Sequence, residues 1–350
     1  MANLSVRKLD NTAYEQLRIR AAKHGVSMEE EARQIIYQVV LGSVSPSQVF
    51  RKYFGSEQGI DLTHLPRGEP HEPMEFDMTN TTLPIGVFDS GMGGLTVLRA
   101  LKNQLPQESF IYFGDTARLP YGTKSPETVK QYAIQMTKIL MERRIKALVI
   151  ACNTATTAAL PHLEAMFPDI PVIGVVRPGA KAVIEVTSNQ RIMIFATETT
   201  IASQVYQQFI LEQLPEALIE SRSCSLLVAL AEEGMTDNAI ATEVFRHYLS
   251  EFSDQDTLLL GCTHFPVFKP LLQRLLPQSV TIVDSAQATA KALHAILVET
   301  KLLNKQSASA GLCHYLVTDS AARFETVGSL FLGESIPEAA IEVVDGVTRR

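Results

Sequence analysis

The chain has no run approaching the roughly 20 apolar residues that a membrane-spanning helix requires. Its first residues, Met1-Ala-Asn-Leu-Ser-Val-Arg-Lys, lack the apolar core of a secretory signal. Cysteine is scarce. Cys152, Cys224, Cys262 and Cys313 include no C-x-x-C pair, which excludes a zinc ribbon, and no histidine pair shows metal-ligand spacing. These features predict a cytoplasmic chain with reduced thiols, no bound metal and no membrane partner. Positive charge is not in excess either: 31 Lys and Arg stand against 38 Asp and Glu, a net charge of −7. The whole chain is therefore no general polyanion binder, although a local patch can still be one. What is present is ordinary globular composition, 46% apolar and 20% charged, which excludes wholesale disorder, collagen-like repeats and a coiled-coil rod. A length of 350 residues predicts two or three domains and a core that needs no disulfide or structural metal.

Residues 1–42 read as a compact unit. Asn3, Ser5 and Arg7 alternate with Leu4, Val6 and Lys8, the period of a short strand. Asp10 or Asn11 caps a helix running to about His24 and ended by Gly25. Ser27 with Glu30 three residues on is a capping box, and Met28, Ala32, Ile35, Ile36, Val39 and Val40 make an amphipathic stripe stopped by Gly42. Residues 43–82, with Pro46, Pro66, Pro70 and Pro73, read as an extended arm with one possible short helix over 48–54.

From Leu83 the pattern changes. Short apolar runs at 85–88, 110–113, 147–151, 172–175, 192–196, 257–260 and 281–283 alternate with amphipathic segments, including 95–105, 126–144, 154–167 and 201–214. Fully apolar strands alternating with helices predict parallel sheets covered on both faces. An internal echo stands out. Ala147-Leu-Val-Ile-Ala-Cys152-Asn-Thr and Leu258-Leu-Leu-Gly-Cys262-Thr-His are each an apolar strand followed at once by a thiol and small polar residues. Two similar α/β halves, each presenting one cysteine at a strand's carboxyl end where such sheets bind ligands, account for the echo.

Cys152 precedes a helix expected at Thr154, whose N-terminal dipole favours thiolate. The competing reading is a buried structural cysteine, against which the polar Asn153-Thr154 flank weighs. Cys262 lies in Gly261-Cys-Thr-His-Phe-Pro, beside His264. Cys224 and Cys313 read as core or surface thiols. Asp89 closes the first strand in Phe88-Asp-Ser-Gly-Met-Gly-Gly-Leu, where the amides of Gly93 and Gly94 can bind an anion. No Gly-Lys-Ser/Thr follows, so this is no phosphate loop, and it departs from G-x-G-x-x-G. Residues 115–122 read as a loop or an ordinary turn, and Glu232-Glu233-Gly234 as a helix end. Two thiols facing across a cleft suit one reaction: one removes a proton from a carbon acid and the other delivers one to the opposite face, inverting that carbon. Asp89, Glu232 and His264 are available to set the thiols' protonation states, and Asn153 and Thr263 to bind a carboxylate.

Residues 83–350 resemble the glutamate racemase family, within the cofactor-independent aspartate/glutamate racemases. The matching segments are Ile85-Gly-Val-Phe-Asp-Ser-Gly-Met-Gly-Gly-Leu, Tyr112-Phe-Gly-Asp-Thr-Ala-Arg-Leu-Pro-Tyr-Gly, Val149-Ile-Ala-Cys-Asn-Thr-Ala, Leu260-Gly-Cys-Thr-His-Phe-Pro and Asp284-Ser285. The resemblance implies two doubly wound α/β domains, 83–174 plus 286–350 and 175–285, with the active site between them. It implies glutamate as substrate, no cofactor, and D-glutamate supplied for peptidoglycan. It gives Cys152 and Cys262 the acid/base roles, assisted by Asp89, Glu232 (with Glu233 the alternative) and His264. Asp89, Ser90, Tyr121, Gly122, Asn153, Thr154, Thr197, Thr263 and His264 match substrate-contacting positions. Aspartate is the alternative substrate. Arg177, where the family commonly has Glu, Phe265 for Tyr, and Met235 for an aromatic residue depart from the pattern; the Arg177 segment reads as an interdomain connection.

Residues 1–78 resemble ribbon–helix–helix antitoxins of the Fit/Vap type, through Leu4-Ser-Val-Arg, Arg18-Ile-Arg-Ala-Ala-Lys-His-Gly, Ser27-Met-Glu-Glu-Glu-Ala-Arg and the tail from Gly59 to Asp77. This implies a small dimer-forming unit, with Asn3, Ser5 and Arg7 facing DNA bases and the tail binding a toxin. Arg7, Lys8, Arg18, Arg20 and Lys23 against Asp10 and Glu15 leave a local positive excess that permits phosphate contact. The competing readings are an antitoxin-like regulator fused to the racemase fold and a module that only forms a homodimer.

Overall fold

The computed structural model describes residues 10–40, 80–305 and 311–345. The chain forms two compact units, Met1–Met74 and Glu75–Arg350. In the first, helix α1 (Asn11–His24) is capped by Asp10, whose side chain accepts from Ala13 N at 2.9 Å, and ends on Gly25 at φ 67°. Helix α2 (Met28–Val40) starts from Ser27, whose hydroxyl accepts from Glu30 N. Both ends follow from the residues that mark them, since only Gly takes the left-handed cap without steric cost. Glu31 ties the two helices by accepting from Arg20 and His24. The expected strand with Asn3, Ser5 and Arg7, the Gly42 stop, the short helix over 48–54 and nearly all of the arm lie outside the described residues. The arm's last residues are not extended: Asn80–Thr82 form a single 3-10 turn, held where Lys146 Nζ donates to the carbonyl of Thr81.

The second unit contains two parallel sheets. The first runs through β1 (Ile85–Asp89), β2 (Phe110–Gly114), β3 (Ala147–Ile150), β4 (Val172–Gly174), β9 (Cys313–Val317) and β10 (Ile341–Val343), in the order β10-β9-β2-β1-β3-β4. The second holds β5 (Arg191–Ala196), β6 (Leu218–Ser223), β7 (Thr257–Gly261) and β8 (Thr281–Asp284), in the order β6-β5-β7-β8. Their central strands are buried end to end, as near-continuous apolar runs require. The helices around them are α3 (Leu95–Gln104), α4 (Pro126–Glu142), α5 (Asn153–Met166), α6 (Val176–Val186), α7 (Glu198–Ser203), α8 (Val205–Leu211), α9 (Leu226–Glu232), α10 (Ala239–Tyr248), α11 (Lys269–Leu275), α12 (Ser285–Glu299) and α13 (Ala321–Leu332). Helix α12 packs on both α3 and α6, and one continuous apolar core includes Val87 and Val149 of the first sheet with Phe195 and Leu258 of the second.

Three strands escape the apolar-run criterion. Strand β6 is a sheet edge, with Glu220, Ser221 and Ser223 exposed, and β10 is a three-residue edge. Strand β9 carries Cys313 and His314 at its start, which interrupts the apolar pattern. The single helix expected over 201–214 is two, α7 and α8, broken where Gln204 adopts a left-handed conformation at φ 54°. The segment read as a connection at Arg177 is the first turn of α6, where the guanidinium lies 4.9 Å over the Phe209 ring.

The strand orders fix where a ligand is received. The chain passes from β1 to β2 on one side and then from β2 back across to β3 on the other side of β1, and it does the same from β5 to β6 and from β6 to β7. The crevice at the carboxyl ends of such strand pairs is where open α/β sheets bind ligands. Asp89 ends β1 and Cys152 follows β3, and Thr197 and Cys262 follow β5 and β7.

Candidate active site

One cavity collects these strand ends. It is lined by Ser90, Tyr121, Gly122, Cys152, Asn153, Thr154, Thr197, Cys262, Thr263 and His264, every one expected from sequence, together with Leu119, Pro120 and Val228, which were not. Its volume is about 20 Å³, room for about one water molecule. Leu119 and Pro120 stand inside the Arg118-Leu-Pro-Tyr segment already singled out. Val228 is one of several apolar residues of α9, and its sequence context carries no sign of a site.

Cys152 is the N-cap of α5, one residue earlier than the expected helix start, and its Sγ accepts from Ala155 N at 3.4 Å. The helix end acts in the expected direction, toward thiolate, but burial outweighs it. Burial pushes the Cys152 thiol up to about 12 and the negative Asp89 adds to that, against the smaller opposing pull of the Ala155 amide and the Ser90 hydroxyl. A thiol buried this far pays a large desolvation penalty on ionising, which exceeds what one amide and a helix end return.

Asp89 is completely buried. Its Oδ2 accepts from Gly91 N at 2.9 Å, its carboxylate also takes the Ser90 and Gly94 amides, and the Thr263 hydroxyl faces its Oδ1 at 3.4 Å. The Gly94 amide, expected to meet a ligand anion, is thus occupied by the protein's own carboxylate. Burial raises the Asp89 carboxyl, while the charge of His264 and the amides pull the other way. Gly93 packs directly against the loop after β7: a Cβ there would lie 2.4 Å from His264 Nδ1 and 2.7 Å from Thr263 Oγ1. Only a residue without a side chain fits.

Cys262 Sγ lies 3.9 Å from His264 Nδ1, and His264 Nε2 lies 3.0 Å from Glu232 Oε1 at the end of α9. Burial opposes the imidazolium, but the bonds to Cys262 and Glu232 outweigh it and raise His264 to about 10. Glu233, the alternative, points away to Arg323 in solvent. On the opposite wall the Tyr121 phenol donates to the buried Asp115, which also pairs with Arg118 at 2.8 Å. Three hydroxyls form a closed triangle: Thr154 to Thr197 at 3.0 Å, Thr197 to Thr200 at 3.2 Å and Thr200 to Thr154 at 3.3 Å. Thr200, inconspicuous in Thr197-Glu-Thr-Thr, was missed. Cys224 is buried in the core and Cys313 partly so. Among the described residues no group of three or more His, Cys, Asp or Glu is arranged to hold a metal ion.

The family model described as Asp/Glu/Hydantoin racemase matches residues 85–293, which span both sheets' switch points and both thiols. The chain belongs to this family. Among Asp/Glu/Hydantoin racemase relatives, a glutamate racemase of Geobacter metallireducens is 48% identical over 251 residues, 71% of this chain and 92% of the relative. The crystal structure of a glutamate racemase from Francisella tularensis in complex with D-glutamate is 37% identical, with a TM-score of 0.70 over 76% of this chain and 98% of that one. A glutamate racemase isoform from Bacillus anthracis is also 37% identical, with a TM-score of 0.71 and the same coverage. This Asp/Glu/Hydantoin racemase also carries, over residues 2–40, a match to the model described as Antitoxin FitA-like, ribbon-helix-helix. No helix among its described residues is long and apolar enough to cross a membrane.

Proposed function

We propose that the chain interconverts L-glutamate and D-glutamate with Cys152 and Cys262 as the two acid/base groups. The observation that carries this reading is that both thiols close switch-point strands and line one cavity with Asn153, Thr154 and Thr263. In one direction a thiolate takes the Cα proton, so the C–H bond breaks, an S–H bond forms and the electron pair is delocalised into the substrate carboxylate. The opposite thiol then gives its proton to the other face of Cα and is left as thiolate. The reverse direction exchanges the roles. A substrate ammonium entering beside Cys152 supplies positive charge, which lowers a thiol raised by burial. His264, held by Glu232, sets the proton on Cys262, and Asp89 orients Thr263 and the loop of Ser90. Ser90, Tyr121, Gly122, Asn153, Thr154, Thr197, Thr263 and His264 hold the substrate, and the proton transfers use no cofactor. The product supplies peptidoglycan synthesis, in the cytoplasm, where thiols stay reduced. The relatives' names and the D-glutamate bound to the Francisella protein support glutamate over aspartate. The two sheets support a division into lobes over 83–174 plus 286–350 and over 175–285.

The test is incubation of the purified chain with L-glutamate alone, following D-glutamate by chiral chromatography, with L-aspartate in parallel. In deuterated water the product should carry deuterium at Cα. No D-glutamate, or full activity in Cys152→Ser, overturns the reading.

A second reading concerns the first unit. The match over residues 2–40 and the local positive charge favour a dimer-forming module that contacts DNA through Asn3, Ser5 and Arg7, with 43–78 available to a toxin. Exposed Tyr14, Ile19 and Ile36 on α1 and α2 support burial against a second copy. A salt-dependent gel shift lost in Arg7→Ala tests the DNA contact, and light scattering tests the dimer.

A further inference from the structure

Asn153 lines the cavity with an amide only half used. Its Oδ1 accepts from the Tyr206 hydroxyl at 2.6 Å, whereas its Nδ2 is buried without a hydrogen-bond partner. A buried amide nitrogen left in this state is costly, so its partner is expected to arrive with a ligand. An amide is symmetric enough in shape that packing alone cannot choose which end faces the cavity; its neighbours must choose.

Tyr206 sits on α8, beneath the second sheet, while Asn153 opens α5 beside the first. The phenol is almost fully buried, and its ring and hydroxyl pack closely on Gly179 and Gly261, where an added Cβ would come within 3.2–3.3 Å of it. Its hydroxyl also bonds the buried Ser285 at the start of α12. Burial keeps the phenol protonated, raised well above its ordinary range. Ser285 can therefore donate to Tyr206 while Tyr206 donates onward to Asn153 Oδ1. The chain of donors runs in one direction and leaves only Nδ2 for the cavity.

We propose that Tyr206 is a positioning residue for substrate recognition: it locks the Asn153 amide so that Nδ2 is presented as a donor to a carboxylate oxygen of the substrate. This rests on the glutamate reading above. Without the phenol hydroxyl the amide is free to turn, and half its orientations set Oδ1 against the incoming carboxylate.

The test is Tyr206→Phe, which removes one oxygen and keeps the ring. KM for glutamate should rise roughly tenfold, the scale of one hydrogen bond, with kcat changed less than KM. In an Asn153→Ala background the same substitution should raise KM no further, because the two residues act as one unit. An equal rise in both backgrounds, or an unchanged KM in Tyr206→Phe, overturns the proposal. A readout independent of turnover is the Asn153 side-chain amide signal in 15N-labelled protein, assigned by its loss in Asn153→Ala. That signal should shift or broaden in Tyr206→Phe; if it stays unchanged the proposal fails. An inactive wild-type chain with the expected amide shift counts against the glutamate reading and not against the amide lock.

Discussion

His264 and Glu232 are joined at 3.0 Å, Nε2 to Oε1, in a part of the chain from which water is almost excluded. Because the other ring nitrogen faces Cys262, the proton inventory of one thiol depends on a carboxylate it does not touch.

That relationship has a pH signature. His264 is raised from its ordinary 6.5 to about 10, so the folded chain binds a proton there more tightly than the unfolded one. Its stabilisation is fully present below about 6.5 and is lost as pH rises through about 10. Glu232→Gln should therefore flatten the decline of the urea midpoint across that window and lower racemase activity. An unchanged slope would separate Glu232 from the histidine.

Replacing either thiol should remove a proton carrier. Cys152→Ser and Cys262→Ser are each expected to lower kcat about 10²–10⁴-fold while the fold persists, as circular dichroism can check. Both directions of the reaction should suffer, since each thiol serves in both.

Gly93→Ala forces a Cβ to 2.4 Å from His264 Nδ1. Stability should fall by about 1–3 kcal/mol, the usual cost of overpacking, and activity should fall further because the group displaced is His264. Thermal unfolding and steady-state kinetics on one preparation measure both.

Away from the site, Lys146 and Glu108 form a fully buried pair, and Lys146 Nζ also donates to the carbonyls of Thr81 and Leu302. Lys146→Met should cost about 3–5 kcal/mol in urea unfolding because it strands the carboxylate. Adding Glu108→Gln should recover much of that loss.

Much of this was legible before any coordinates. Strands β1, β2, β3, β5 and β7 announced themselves because a strand covered on both faces must be apolar throughout. Edge strands carry no such requirement, so β6 and β10 do not stand out as apolar runs. Cys152, Asn153, Cys262, Thr263 and His264 stood out because small polar residues and thiols after an apolar strand have no packing role to explain them, whereas Ser90, Tyr121, Gly122, Thr154 and Thr197 came from the family resemblance. Thr200 and Tyr206 were invisible for the opposite reason: each supports a lining residue from behind, and a buried Tyr in a helix looks like core. The balance at Cys152 was not legible, because the sequence displays the helix that follows it but not the burial that outweighs that helix end.

The triangle of Thr154, Thr197 and Thr200 has three oxygens within 3.3 Å of one another and three protons to share among them. Each hydroxyl can give or receive. The ring of bonds can therefore circulate clockwise or anticlockwise, and the two senses differ by hydrogen positions alone. In either sense all three protons are spent inside the ring, so each oxygen has only a lone pair left to turn outward and the triangle can meet the cavity only as an acceptor, with every heavy atom at rest.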